Sequence, residues 1–222
     1  MKTKDFSKIY LSILLLHLVV IYKPDSVELY YLSKPLLLFS LAVFFINRNG
    51  FTTVSIKQVA AALALSLAGD VLLMRDGEFF FLGGMAAFLI AHVFYLLFYF
   101  GQKLKVSLAA LAGGGAIAGA GLWTLYTYVN TPPELELYLY VYGIVLGLHF
   151  VISLLFAYAN KGLQWLSALG AFLFLISDLI LAFNKFNEST VYLSIAVMLT
   201  YGLAQYCIVL SINDYLEKGR GD

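Results

Sequence analysis

The feature that most constrains this chain is a succession of apolar runs, each about the length of a bilayer-crossing helix, separated only by short polar clusters. A hydrocarbon core about 30 Å thick needs ~20 mostly apolar residues of helix. The runs fall at about 6–22, 29–47, 57–74, 79–100, 104–128, 136–159, 163–184 and 190–213. The clusters between them read "YKPDS", "NRNG", "RDGE", "GQKLK", "NTPPE", "NKG" and "NKFNES". Loops this short force neighbouring helices to run antiparallel. Strands of a membrane barrel would alternate polar and apolar residues over about ten positions, and these runs do not. The expected fold class is therefore all-α: a polytopic membrane bundle of eight transmembrane helices, making one integral membrane domain over residues 1–222. Composition agrees, with 62% hydrophobic and 12% charged residues, where a soluble domain carries about 25% charged.

A net charge of +1 gives nucleic acid no electrostatic foothold, so no such partner is expected; the lipid bilayer is. The one cysteine, Cys207, excludes an intrachain disulfide and lies in an apolar run, where it reads as packing. Lys2, Lys4 and Lys8 precede the first run, but no small-x-small cleavage site follows it, so it reads as an uncleaved first span.

Basic residues set the orientation. With the N-terminus cytoplasmic, the cytoplasmic side holds Lys2, Lys4, Lys8, Arg48, Lys57, Lys103, Lys105, Lys161, Lys218 and Arg220. The opposite side holds Lys23, Arg75 and Lys185. Both termini are thus expected in the cytoplasm, with the chain multi-pass in the plasma membrane, or the inner membrane of a bacterium. A weak internal repeat is visible: "SLAGDVLLM" (66–74) resembles "FLISDLILA" (174–182), which suggests two parallel four-helix halves. "GGGAIAGAG" (113–121) lacks the Lys-Ser/Thr of a phosphate loop, and its Gly115 and Gly119 spacing predicts close helix packing instead.

Ionisable groups within a span are costly, about 2.5–3.5 kcal/mol at the centre, and need a partner, a wet cavity or a function. Three stand out: Lys34, Asp70 and Asp178. Counting from the run ends at 1.5 Å per residue places each roughly 6–9 Å below the same non-cytoplasmic face. They are expected to meet in one layer. Polar groups expected to line the same cavity are His92 with Tyr95 and Tyr99, His149 with Tyr142 and Ser153, Tyr201 with Gln205, Ser66 one turn from Asp70, and Ser177 beside Asp178. His17, with apolar neighbours along the chain, reads as structural. Lys34 and Asp70 could instead form a purely structural pair. One lysine cannot balance two buried carboxylates, so one carboxyl is expected to keep its proton.

Two carboxyls in different protonation states are an acid/base device. Glycosidases use such a pair against an oxocarbenium-like transition state. Vinyl ether hydrolysis passes through the same type of cation. Zinc is the obvious competitor, with His92, His149, Asp70 and Asp178 as ligands. No HExxH spacing supports it, and the histidines count as deeper than the aspartates, so no metal or cofactor is expected. A Gly-x-Ser-x-Gly elbow is also missing. A lipid or small-molecule transporter is the alternative function, since duplicated halves with buried charges suit that class. Spans without a mid-run proline, and charges nearer one face than the midplane, weigh against it. In a third reading the aspartates only lock helices together.

"SKPLLL" (33–38), "SLAGDVLLM" (66–74), "FLIAHVFY" (88–95), "LGAFLFLISDLILA" (169–182) and "YGLAQYCI" (201–208) occur in this order. Together they resemble the YhhN-like lysoplasmalogenase family over about residues 29–210. The resemblance implies hydrolysis of the vinyl ether of lysoplasmalogens to a fatty aldehyde and glycerophosphoethanolamine or glycerophosphocholine. A lysophospholipid would then be the substrate. It also implies that the aspartates of "GD" and "SD", Asp70 and Asp178, are the catalytic pair. Lys34 of "KP", His92 of "AH" and Gln205 of "AQ" match further motif positions. A homo-oligomer is compatible with all of this.

Overall fold

The computed structural model describes residues 2–23 and 27–219. Pro24, Asp25 and Ser26 of the first polar cluster, and Arg220 of the C-terminal tail, lie outside the described residues. Eight α-helices follow one another among the described residues: α1 (Thr3–Tyr22), α2 (Val27–Asn49), α3 (Val54–Leu72), α4 (Glu78–Phe100), α5 (Leu108–Tyr128), α6 (Pro133–Asn160), α7 (Trp165–Phe186) and α8 (Val191–Lys218). All eight are long and apolar enough to cross a membrane. In hydrocarbon a helix satisfies its own backbone groups, and this is why apolar runs of this length become helices. The ends are set by local chemistry. Thr53, Ser107 and Thr190 cap α3, α5 and α8, accepting from the N–H three residues on at 3.2–3.3 Å. Pro133 opens α6, where its missing N–H costs nothing. Gly50, at φ 72°, closes α2.

The helices group into two compact units, Met1–Tyr95 and Leu96–Asp222. In the first, α1 packs on α2 and α2 on α3. Phe6, near the start of α1, stacks on Phe44, near the end of α2, with ring centroids 3.9 Å apart. Gly69 of α3 lies under the Phe88 ring of α4, where an added Cβ would come within 2.7 Å.

In the second unit α5 packs on α6, α6 on α7, and α7 on α8. The α7–α8 crossing is the tightest: a Cβ on Gly170 would lie 2.6 Å from the Ala204 carbonyl oxygen. Ser167 and Ser211 join the same two helices at 2.7 Å. At one end, Asn187 after α7 ties two loops together. Its Oδ1 accepts from Asn130 N at 3.0 Å and its Nδ2 donates to Tyr128 O at 2.7 Å.

Two sequence expectations are corrected here. Gly115 and Gly119 have open space where a Cβ would go. The close approach of α5 to α6 uses a register one residue earlier: Gly114, Ala118 and Leu122 face Gly143, Gly147, Val151 and Leu154. The small-x-x-x-small pattern is right and its face is wrong, because a run this rich in glycine offers several such faces. Spans were expected to have no mid-run proline, yet Pro35 sits inside α2, eight residues from its start. It removes the N–H that would bond the Tyr31 carbonyl, a loss that membrane helices tolerate when neighbours compensate.

Candidate functional site

Each unit carries its own buried polar group. In the first, Lys34 Nζ lies 3.9 Å from Asp70 Oδ1, with side chains 8% and 3% exposed. That distance is an ion pair rather than a direct charge-assisted hydrogen bond, which closes to about 2.7–2.9 Å. The helices explain the pairing. Asp70 is two residues from the C-terminus of α3, where the helix dipole disfavours a carboxylate, and the ammonium from α2 offsets this. Ser66, one turn before Asp70, is fully buried. His92 and Tyr95 of α4 are both buried, with ring centroids 6.4 Å apart.

His17, expected to be structural, makes a polar contact between helices. Its chain neighbours are apolar, yet its Nδ1 lies 2.8 Å from Ser33 Oγ on α2, and its ring is 5.6 Å from Tyr30. Ser33 directly precedes Lys34 on α2, so the His17–Ser33 contact lies one residue along the chain from the Lys34–Asp70 pair. Sequence reading missed this contact, because it joins residues 16 apart on adjacent helices.

In the second unit Asp178 of α7 accepts a hydrogen bond from the Tyr142 hydroxyl of α6. Asp178 is half-buried and Tyr142 buried. Ser177 does not turn to Asp178; its hydroxyl donates to the Val197 carbonyl of α8 at 3.1 Å. Tyr201 is buried and meets Phe174 edge-on at 5.4 Å, and Gln205, one turn further along α8, is fully buried. His149 is fully buried and stacks on Tyr99 at 5.7 Å, while Ser153 bonds back to the Phe150 carbonyl of its own helix. Tyr99, expected beside His92, thus meets His149.

Along their own helices the three charges are not equally deep. Lys34 is seven residues from the start of α2, Asp70 two from the end of α3, and Asp178 eight from the end of α7. At 1.5 Å per residue these are about 10, 3 and 12 Å. Counting from the ends of apolar runs misses this, because at these ends α2 and α7 run two residues past their apolar stretches while α3 stops two residues short of its own. Among the described residues, neither unit gathers three His, Cys, Asp or Glu side chains as a metal site would require.

The model of the YhhN family matches residues 29–212. The chain belongs to the YhhN family. Among curated relatives, the lysoplasmalogenase TMEM86B of Sus scrofa is 34% identical over 162 residues, covering 70% of this chain and 63% of the relative. The lysoplasmalogenase TMEM86A of Bos taurus is 28% identical over 193 residues, covering 81% and 76%. The lysoplasmalogenase TMEM86A of Homo sapiens is 29% identical over 189 residues, with the same shares. This YhhN-family chain therefore spans less than two thirds of the Sus scrofa relative. No solved structure matches it. With eight apolar helices and these relatives, it is an integral, multi-pass membrane protein. The family match starts beyond α1, so Lys34, Asp70 and Asp178 fall inside it and His17 outside.

Proposed function

We propose that this YhhN-family chain is a lysoplasmalogenase-type hydrolase that cleaves the vinyl ether of a lysoplasmalogen, with Asp70 and Asp178 as its acid/base pair. One carboxyl donates its proton to the alkenyl carbon beyond the ether-bearing carbon, and an oxocarbenium ion forms. The other carboxylate takes a proton from water as the water oxygen attacks the cation. The resulting hemiacetal collapses, its hydroxyl proton passing to the departing glycerol oxygen. One water is consumed, and a fatty aldehyde and glycerophosphoethanolamine or glycerophosphocholine leave. In this scheme Lys34 offsets the charge of Asp70, Tyr142 fixes Asp178, and His92 and Gln205 orient the water and the substrate.

One observation carries the reading: each carboxyl sits on a mostly apolar helix with its own polar partner, Lys34 for Asp70 and Tyr142 for Asp178. Unequal partners give two carboxyls unequal proton affinities, which is what an acid and a base require. The names of the relatives support the substrate class. The test incubates purified protein with lysoplasmalogen and with its saturated alkyl-ether analogue. Aldehyde from the first alone is expected; no aldehyde from either refutes the reading.

A transport function draws on Pro35, which interrupts α2 next to Lys34. It predicts lysolipid movement across proteoliposomes without any aldehyde.

A further inference from the structure

The chain as a whole is almost neutral, at +1, but its charge is unevenly placed. In the first unit α1, α2 and α3 run antiparallel, so the start of α1, the end of α2 and the start of α3 share one end. The Phe6–Phe44 stack, at 3.9 Å, fixes the first two against each other. That end carries Lys2, Lys4, Lys8, Arg48 and Lys57. Asp5 is the one carboxylate beside them, and it can offset only one of these cations. In the second unit, by contrast, Lys218 near the end of α8 is matched by Asp214 of its own helix at 2.6 Å.

The outer face of α1 says what meets this charge. Phe6, Tyr10, Leu14, His17 and Val20 are buried. At about 100° per residue the opposite face carries Lys4, Lys8, Leu11, Leu15 and Val19, all of them exposed. Two ammonium groups one helical turn apart repel each other, and an anion shared between them relieves that repulsion. Beyond Lys8 the stripe turns apolar. From Lys8 to Val19 it rises about 16 Å at 1.5 Å per residue, and one leaflet of hydrocarbon is about 15 Å thick. The stripe thus offers cations at headgroup level and an apolar track for one acyl chain. A soluble polyanion would use the cations and leave the track empty. A phospholipid with a negative headgroup uses both.

We infer that the Lys4–Lys8 stripe of α1 binds an anionic phospholipid of the leaflet at that end. The phosphate lies between the two ammonium groups and one acyl chain follows Leu11, Leu15 and Val19. Lys2, Arg48 and Lys57 strengthen the positive potential around the headgroup. Within the unit this site is at the opposite end of α3 from Asp70. It lies on a helix outside the residues that match the family, and the vinyl ether reading uses neither lysine.

The test is native mass spectrometry of the purified full chain in detergent, mixed with equal amounts of phosphatidylglycerol and phosphatidylcholine that carry the same acyl chains. A lysine near an anionic headgroup is worth about fivefold in binding. The wild-type chain should retain phosphatidylglycerol over phosphatidylcholine by roughly 10- to 30-fold. Lys4→Gln combined with Lys8→Gln should remove most of that preference. Lys4→Arg combined with Lys8→Arg keeps both charges and should keep it. Lys103→Gln combined with Lys161→Gln removes two exposed lysines of the second unit and should leave it unchanged. All the substituted side chains are exposed, so wild-type helical content by circular dichroism is expected throughout. A wild-type ratio near unity overturns the site. So does an intact ratio in the Lys4→Gln and Lys8→Gln chain, or an equal loss in the Lys103→Gln and Lys161→Gln chain, which would reveal attraction to lysines in general. Displacement of the bound lipid by millimolar inorganic phosphate would reveal a bare anion site and overturn the lipid assignment. The readout involves no turnover, so its failure leaves the hydrolase reading standing, and failure of that reading leaves this site standing.

Discussion

Replacing Gly170 by alanine tests how far the α7–α8 crossing governs the site. A Cβ there would lie 2.6 Å from the Ala204 carbonyl oxygen, 2.7 Å from Ile208 Cγ1 and 3.0 Å from Ile208 N. Two of these atoms are backbone, so no side chain can rotate away. To reach ordinary contact near 3.4 Å, α8 must back off by about 0.8 Å. Overpacking of this kind costs about 1–3 kcal/mol, against a gain of roughly 0.5–1 kcal/mol from alanine's helix preference. The net expectation is a loss of roughly 1 kcal/mol in stability, and at most about 2.5 kcal/mol. Gln205 follows Ala204 directly and moves with it. Displacements near 1 Å can cost ~100-fold in rate. Gly115→Ala is the control: its Cβ meets open space, and it should be neutral or stabilising by up to about 1 kcal/mol. The assay is unfolding in detergent followed by circular dichroism, with aldehyde release measured in parallel. Equal stability of Gly170→Ala and wild type, or equal loss in Gly115→Ala, would refute the packing argument.

Asp70→Asn and Asp178→Asn should each abolish aldehyde release while keeping wild-type helical content, and turnover in either variant sinks the paired role. Tyr142→Phe deletes a hydrogen bond to a carboxyl, worth about 1.5–3 kcal/mol; a roughly 10- to 100-fold fall in kcat with intact folding is expected. An unchanged kcat would show that Tyr142 does not set the state of Asp178. Lys34→Met should destabilise the chain because it leaves Asp70 without its cation, and Lys34→Met with Asp70→Asn should regain part of the loss. If the double variant unfolds as readily as the single one, the two residues are not energetically coupled.

The eight-helix, all-α architecture was legible because one signal dominates it. Apolar runs cut by turn clusters give helices whose ends differ from the expected limits by zero to five residues. The differences have local causes: Ser107 caps α5 later than its apolar run begins, and α8 continues into the polar stretch up to Lys218. Side-chain partnerships were less legible. Lys34 and Asp70 could be matched by charge, whereas Tyr142 on α6 had no mark that tied it to Asp178 on α7. The His17–Ser33 contact was not legible, because the chain neighbours of His17 are apolar while its partner comes from the next helix. Glycine spacing predicted contact but not which face makes it, since only the neighbouring helix decides that.

The Asn187 latch has a consequence for the lifetime of the protein. Its amide joins the loop before α6 to the turn after α7, and both of its bonds are exposed. Asparagine is among the chemically less durable residues. Hydrolysis of that amide to a carboxylate keeps the acceptor for Asn130 N–H and loses the donor for the Tyr128 carbonyl, setting oxygen against oxygen. Ageing of the purified protein should therefore begin at this surface tie, well before any buried helix contact gives way.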